Sequence, residues 1–177
     1  TPVPYGHRPH EVIYSVSRAE LNKLLMSAAQ ATGRVNIVFN HGIEPVKLDE
    51  HELLIGADGA GSPVRKAIDA HHDVPSTEEK LPHSYKELHI ASDNGRFRME
   101  KEALHIWPRG DFMMIALPNI DGSFTVTLFA PDEGPNSFAD LHDAAAFDAF
   151  FRRNFPDALA LMPDAAQTYL RNPIGFL

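Results

Sequence analysis

Residues 53–65, Leu-Leu-Ile-Gly-Ala-Asp-Gly-Ala-Gly-Ser-Pro-Val-Arg, set an apolar triplet, a glycine turn and a helix start in one continuous run. Leu53, Leu54 and Ile55 suit a short strand covered on both faces. Gly56, Gly59 and Gly61 then let the backbone turn sharply and approach a ligand closely. Ser62 is a helix cap, and Pro63 falls at the first helical position, where its missing N–H costs nothing, so a helix is expected over residues 64–70. Such a helix start attracts anions. Asp58 stands among the glycines, where a carboxylate accepts hydrogen bonds from a ribose hydroxyl, backbone amides or water. From these residues two readings stay open: a phosphate-handling turn, and a plain strand-to-helix connection with a turn aspartate.

The rest of the chain narrows the company such a turn keeps. With 177 residues and 44% hydrophobic content the sequence can bury a core of one domain or two small ones. No apolar run reaches the length of a membrane span, and the first residues lack the basic and apolar regions of a signal peptide, so a cytoplasmic location is expected. The absence of cysteine excludes disulfides and thiolate metal sites, which leaves redox chemistry to a cofactor. A net charge of −8, with 24 acidic against 16 basic residues, argues against a nucleic-acid surface. The ten histidines, His7/His10 and His71/His72 among them, show no ligand spacing for a metal and read as solvated loop residues.

Residues 1–10 form a Pro- and Gly-rich lead-in that holds Tyr5 in a stiff local backbone, and by itself Tyr5 reads as a packing residue. Residues 11–16 alternate as a strand does. Ser17-Arg-Ala-Glu20 is a capping box, and Leu21, Leu24, Leu25, Ala28 and Ala29 recur with helical period up to the stop at Gly33. Arg18 thus falls at the first helical position, where it could help hold a pyrophosphate or simply face solvent. Residues 35–40 read as a short buried strand followed by Ile43.

Beyond a polar connection over residues 70–80, a second layer is expected. Residues 83–90, 96–100, 103–107, 112–117 and 124–129 are short runs separated by turn sequences such as Asp93-Asn-Gly95 and Pro118-Asn-Ile-Asp-Gly122, the pattern of an antiparallel sheet. Strand periodicity sets Met113, Ile115 and Leu117 on one face, which Leu104 and Phe129 on neighbouring strands can join. Such a row is ordinarily core. Trp107 and Arg109 read as structural. Residues 138–155 read as a helix ended by Pro156, and residues 157–170 as a second helical piece.

The Gly56-Ala-Asp-Gly59 run resembles the signature of FAD-dependent aromatic hydroxylases. Pro4-Tyr5-Gly6, residues 15–23 and 82–88, Leu104-His-Ile-Trp-Pro-Arg109, Met113-Met-Ile-Ala-Leu-Pro-Asn119 and residues 123–129 resemble, in the same order, the branch of that family that hydroxylates kynurenine. The likeness runs from Tyr5 through about Asp157. It implies conversion of L-kynurenine to 3-hydroxykynurenine with FAD as cofactor, NAD(P)H as co-substrate and O2. It further implies that Arg18, Ile43, Asp58 and Gly59 meet FAD, and that Tyr5 binds the amino-acid carboxylate of kynurenine. Leu104, Met113, Ile115, Leu117 and Phe129 become an apolar wall over the substrate ring, and no residue is implied as an acid or base.

The chain departs from the family in three places. Residues 44–52 leave room only for a brief connection where members usually carry a β-hairpin, and neither the family's Gly-x-Gly-x-x-Gly strand nor its Gly-Asp-Ala-Ala-His type run occurs. The expected architecture is therefore α+β and resembles the middle of such an enzyme: part of an FAD/NAD(P)-binding αβ layer over residues 1–75, and an antiparallel substrate-binding sheet with C-terminal helices over residues 76–177. The rival readings are a flavin hydroxylase of another aromatic acid, and a non-catalytic remnant that binds a nucleotide or a partner. The sequence leaves the oligomeric state open.

Overall fold

The computed structural model describes every residue except 1, 2, 4, 5, 9, 44, 49–52 and 73–76. The chain forms two compact units, residues 22–79 and residues 1–21 with 80–177.

The second of these is built on a five-stranded antiparallel sheet, which with its helices makes the fold α+β. In chain order the strands are β1 (His83–Ile90), β2 (His105–Arg109), β3 (Phe112–Pro118), β4 (Phe124–Pro131) and the two-residue β5 (Gly175–Phe176). Their spatial order is β2-β3-β4-β1-β5. Tight turns set the register, because a one-residue slip would exchange the two faces of every strand. In the β3–β4 turn, the Asp121 carboxylate accepts from the Ser123 backbone N–H at 3.0 Å and hydroxyl at 2.6 Å. Those bonds hold the Asp121 carboxyl below the usual carboxylate range.

One face of the sheet carries the core. Leu88 and Ile90 of β1, Phe112, Met114 and Ala116 of β3, and Phe124, Val126, Leu128 and Ala130 of β4 are all buried there. The cover comes from α3 (Ala144–Asn154), α4 (Pro156–Leu159) and α5 (Ala165–Arg171). Their contribution is mostly aromatic: Phe147 stacks on Phe151 at 4.1 Å, Phe112 of the sheet meets Phe150 at 5.2 Å, and Tyr169 lies 4.8 Å from Phe147. Lys86 enters the same interior from β1, with its Nζ 4.0 Å above the Tyr169 ring. Trp107 donates from Nε1 to Asp157 at 2.8 Å, and Arg109 donates from Nε to the Asn154 carbonyl at 2.9 Å, so both tie β2 to the end of the helical layer.

Several expected elements are replaced by others. Residues 138–143 are not helical: α3 starts only at Ala144, where Asp143 caps it by accepting from the Ala146 N–H at 2.8 Å. Phe138 and Leu141 are buried from a loop instead. The second helical piece divides into α4 and α5 around Pro163, which lacks an N–H and disfavours helix at the residue before it. Residues 96–100 make a single bridge, Asp93 with Arg96, and Phe97 and Met99 then pack against the core from a loop.

The unit of residues 22–79 contains most of α1 (Arg18–Ala31) and all of α2 (Pro63–His72). Residues 35–40 and 53–55, like residues 11–16 in the other unit, form no strand. Alternation supplies only a preference for extended backbone, and a ladder also needs a partner edge, which the described residues do not offer these segments. Their apolar side chains stay open: Val38 and Phe39 are each 62% exposed and Leu53 is 78% exposed.

Candidate functional site

Because the helices cover only one face of the sheet, the other is open, and register decides what it shows. Side chains directly opposite each other in an antiparallel pair share a face. Met113 pairs with Phe129, Ile115 with Thr127, and Leu117 with Thr125, all on the side away from Met114 and Ala116. On β2, Ile106 pairs with Ile115 and Pro108 with Met113. On β1, Tyr85, Glu87 and His89 pair with Phe129, Thr127 and Thr125. Met113 is 40% exposed and Ile106 53%, while Ile115, Leu117 and Phe129 are half-buried among their neighbours. Leu104, just before β2, is 38% exposed.

Thus Met113, Ile115, Leu117 and Phe129 do share one face, and it is not the core face. Ile106 belongs to it and was not singled out from the sequence, although alternation from Leu104 carried the signal. Tyr85 also faces this side, with its ring 6.0 Å from Phe129 and packed over the backbone of Gly175, where a Cβ would meet ring carbons. The hydroxyls at one end are committed, since Thr125 Oγ1 and the Asn119 side chain bond each other.

The glycine turn lies in the other unit. α2 starts as expected: Ser62 Oγ accepts from the Arg65 N–H at 2.9 Å, with Pro63 at the first position. Asp58 accepts from the Val64 N–H at 3.3 Å, so its carboxylate itself occupies part of the helix N-terminus. The Ser62 hydroxyl and then this amide hold the Asp58 carboxyl below its ordinary range. Gly56 is required by packing, since a Cβ there would lie 2.9 Å from Val64 carbons. Gly59 has φ +82, and neither it nor Gly61 has a heavy atom within 4 Å of where a Cβ would stand, so this backbone is approachable.

Ile43 belongs to the same unit and is 47% exposed. Arg18 begins α1 within the other unit and is exposed; Ser17 Oγ accepts from the Glu20 N–H at 3.3 Å, the forward half of the capping box. Tyr5 lies outside the described residues. Among the described residues no group of three or more His, Asp or Glu side chains could hold a metal ion, and no helix is long and apolar enough to cross a membrane.

No protein-family model matches the sequence. Individual proteins do. The chain is 44% identical over 190 residues to the kynurenine 3-monooxygenase of Myxococcus xanthus, an alignment that covers 97% of this chain and 41% of that protein. It is 41% identical over 191 residues to the kynurenine 3-monooxygenase of Stenotrophomonas maltophilia, covering 98% and 42%. Against the kynurenine 3-monooxygenase of Dictyostelium discoideum it is 41% identical over 187 residues, covering 98% and 41%. The chain thus spans about two fifths of the length of the curated relatives it matches.

Proposed function

We propose that this chain, similar along nearly its whole length to part of kynurenine 3-monooxygenases, contributes a substrate wall and one side of a cofactor site to FAD-dependent hydroxylation of L-kynurenine. The product is 3-hydroxykynurenine, with NAD(P)H and O2 consumed. A cytoplasmic location, and a division of labour between residues 1–75 and 76–177, belong to the same reading. The observation that carries it is the open sheet face: Leu104, Met113, Ile115, Leu117 and Phe129, the five positions that the family likeness assigns to the wall, lie outside the core and stay accessible.

The residues of the glycine turn fit a nucleotide cofactor. An approachable Gly59–Gly61 backbone, the start of α2 and a carboxylate at Asp58 are the donor and acceptor types that phosphate and ribose need. Asp58, Gly59 and Ile43 of that unit would hold it, and Arg18, in the other unit, is a contact that the family likeness alone implies. FAD, when bound, supplies the redox chemistry and oxygen activation. The side chains of this chain then act by placement. The apolar wall sets an aromatic ring in one plane and keeps water from the reacting carbon, and with no acid or base among its members it contributes orientation and exclusion.

The test is Tyr5→Phe within an intact, flavin-loaded enzyme that carries this sequence. A hydroxyl that bonds a charged carboxylate is worth roughly 1.5–3 kcal/mol, so kynurenine affinity should fall at least tenfold while flavin content stays unchanged. Unaltered kynurenine affinity would remove Tyr5 from the site.

A further inference from the structure

The open face is graded across its strands. Its central row reads Ile106, Ile115, Thr127, Glu87 from β2 to β1. The rows on either side change in the same direction: Leu117, Thr125, His89, and Pro108, Met113, Phe129, Tyr85. Hydrocarbon occupies β2 and β3, while oxygen and nitrogen atoms accumulate on β4 and β1. Glu87 is the only carboxylate of these rows. It is exposed, and its side chain has no hydrogen-bond or ion-pair partner among the described residues. By contrast, its backbone carbonyl is already engaged by the Asn172 side chain at 2.8 Å.

We infer that Glu87 is a specificity-determining residue of the open face, receiving the α-ammonium group of an aromatic amino acid whose ring lies over Met113 and Ile115. The inference rests on the proposed substrate reading and adds a direction to it: ring towards β3, cationic end towards β1. Two strand spacings separate Ile115 from Glu87, about 10 Å, a span that a ring with a short amino-acid side chain covers. Thr127, between them, brings a hydroxyl within reach of the connecting polar atoms. A ligand that lacked the ammonium would keep its contact with the wall and lose the carboxylate.

The experiment is an amide NMR titration of the labelled chain with L-kynurenine, and with the analogue in which hydrogen replaces the α-ammonium. Both should perturb the amides of Met113 and Ile115, and only kynurenine should perturb those around Glu87. An exposed ion pair of this kind corresponds to about a threefold to fivefold preference for the amino acid. Glu87→Gln should abolish that preference and leave the affinity of the analogue unchanged. If neither ligand perturbs β3 and β4, the open face is not the substrate wall and the inference falls with that reading. If both bind there but Glu87→Gln leaves their ratio unaltered, or weakens both equally, the wall reading stands and the role of Glu87 is refuted.

Discussion

Replacing Lys86 by methionine should stabilise the sheet unit. Lys86 is 7% exposed, its neighbours on that face are Leu88, Leu128 and Ser84, whose hydroxyl makes no hydrogen bond, and among the described residues its ammonium has only the Tyr169 ring, 4.0 Å away, to replace water. Burial accordingly lowers its pKa from 10.5. Replacement of buried charged pairs by hydrophobic groups of similar volume ranges from neutral to a gain of about 4 kcal/mol, a range taken over to this single charge, and the lost cation–π contact offsets about 0.5–2 kcal/mol of it. The net gain should be about 1 kcal/mol, a rise of a few degrees in Tm. Because the folded pKa lies below the unfolded value, the unfolded chain binds the proton better. The penalty of the lysine is therefore complete below the folded pKa and shrinks as pH rises towards 10.5. Urea melts followed by the fluorescence of Trp107, the single tryptophan, should show the advantage of the variant at neutral pH and its loss at strongly alkaline pH. A variant less stable than the parent by about 1 kcal/mol at neutral pH, or an advantage that ignores pH, would mean that the ammonium is a net asset where it stands.

Gly175→Ala should loosen β5 from β1, because the added methyl would press into the Tyr85 ring; a cost of about 1–3 kcal/mol should appear as faster amide exchange at Ser84 and Tyr85, and unchanged exchange would show that the ring yields freely. The 177-residue chain is expected to purify without stoichiometric FAD, since Arg18, Ile43 and Asp58 with one helix start offer few charge-assisted donors. Visible absorption checks this, and a yellow protein with one flavin per chain would show that the cofactor site closes within these residues.

β1, β3 and β4 were legible because two local signals agree there, alternating runs and turns rich in Asn, Asp and Gly between them, whereas β2 starts two residues later than expected and β5 carries no such signal. β1 spans the expected residues, and β3 and β4 extend one or two residues beyond expectation. What alternation cannot state is which face is buried when both are apolar. Phe112, Met114 and Ala116 form a core row as credible from sequence as Met113, Ile115 and Leu117, and only the aromatic helices decide between them. Phe138 and Leu141 carry helical spacing yet are buried from a loop, because burial needs a position rather than a helix. Segments 11–16, 35–40 and 53–55 carry alternation or short apolar runs, and pairing depends on a neighbour that such local signals do not contain. The glycine turn was legible as a helix start, whereas the need for Gly56 comes from Val64 packing, a contact eight residues away in sequence.

The flanks of the sheet govern how copies of this chain can meet. β2 is the last strand on its side, and Pro108, its penultimate residue, has no N–H to offer a strand arriving from another copy. On the opposite side β5 contributes only Gly175 and Phe176, too short a template for lateral extension. Ribbon-like stacking is thus discouraged at both margins. Copies brought together by the open apolar face would pair front to front, giving association that saturates with concentration and reverses on dilution, in place of fibrils.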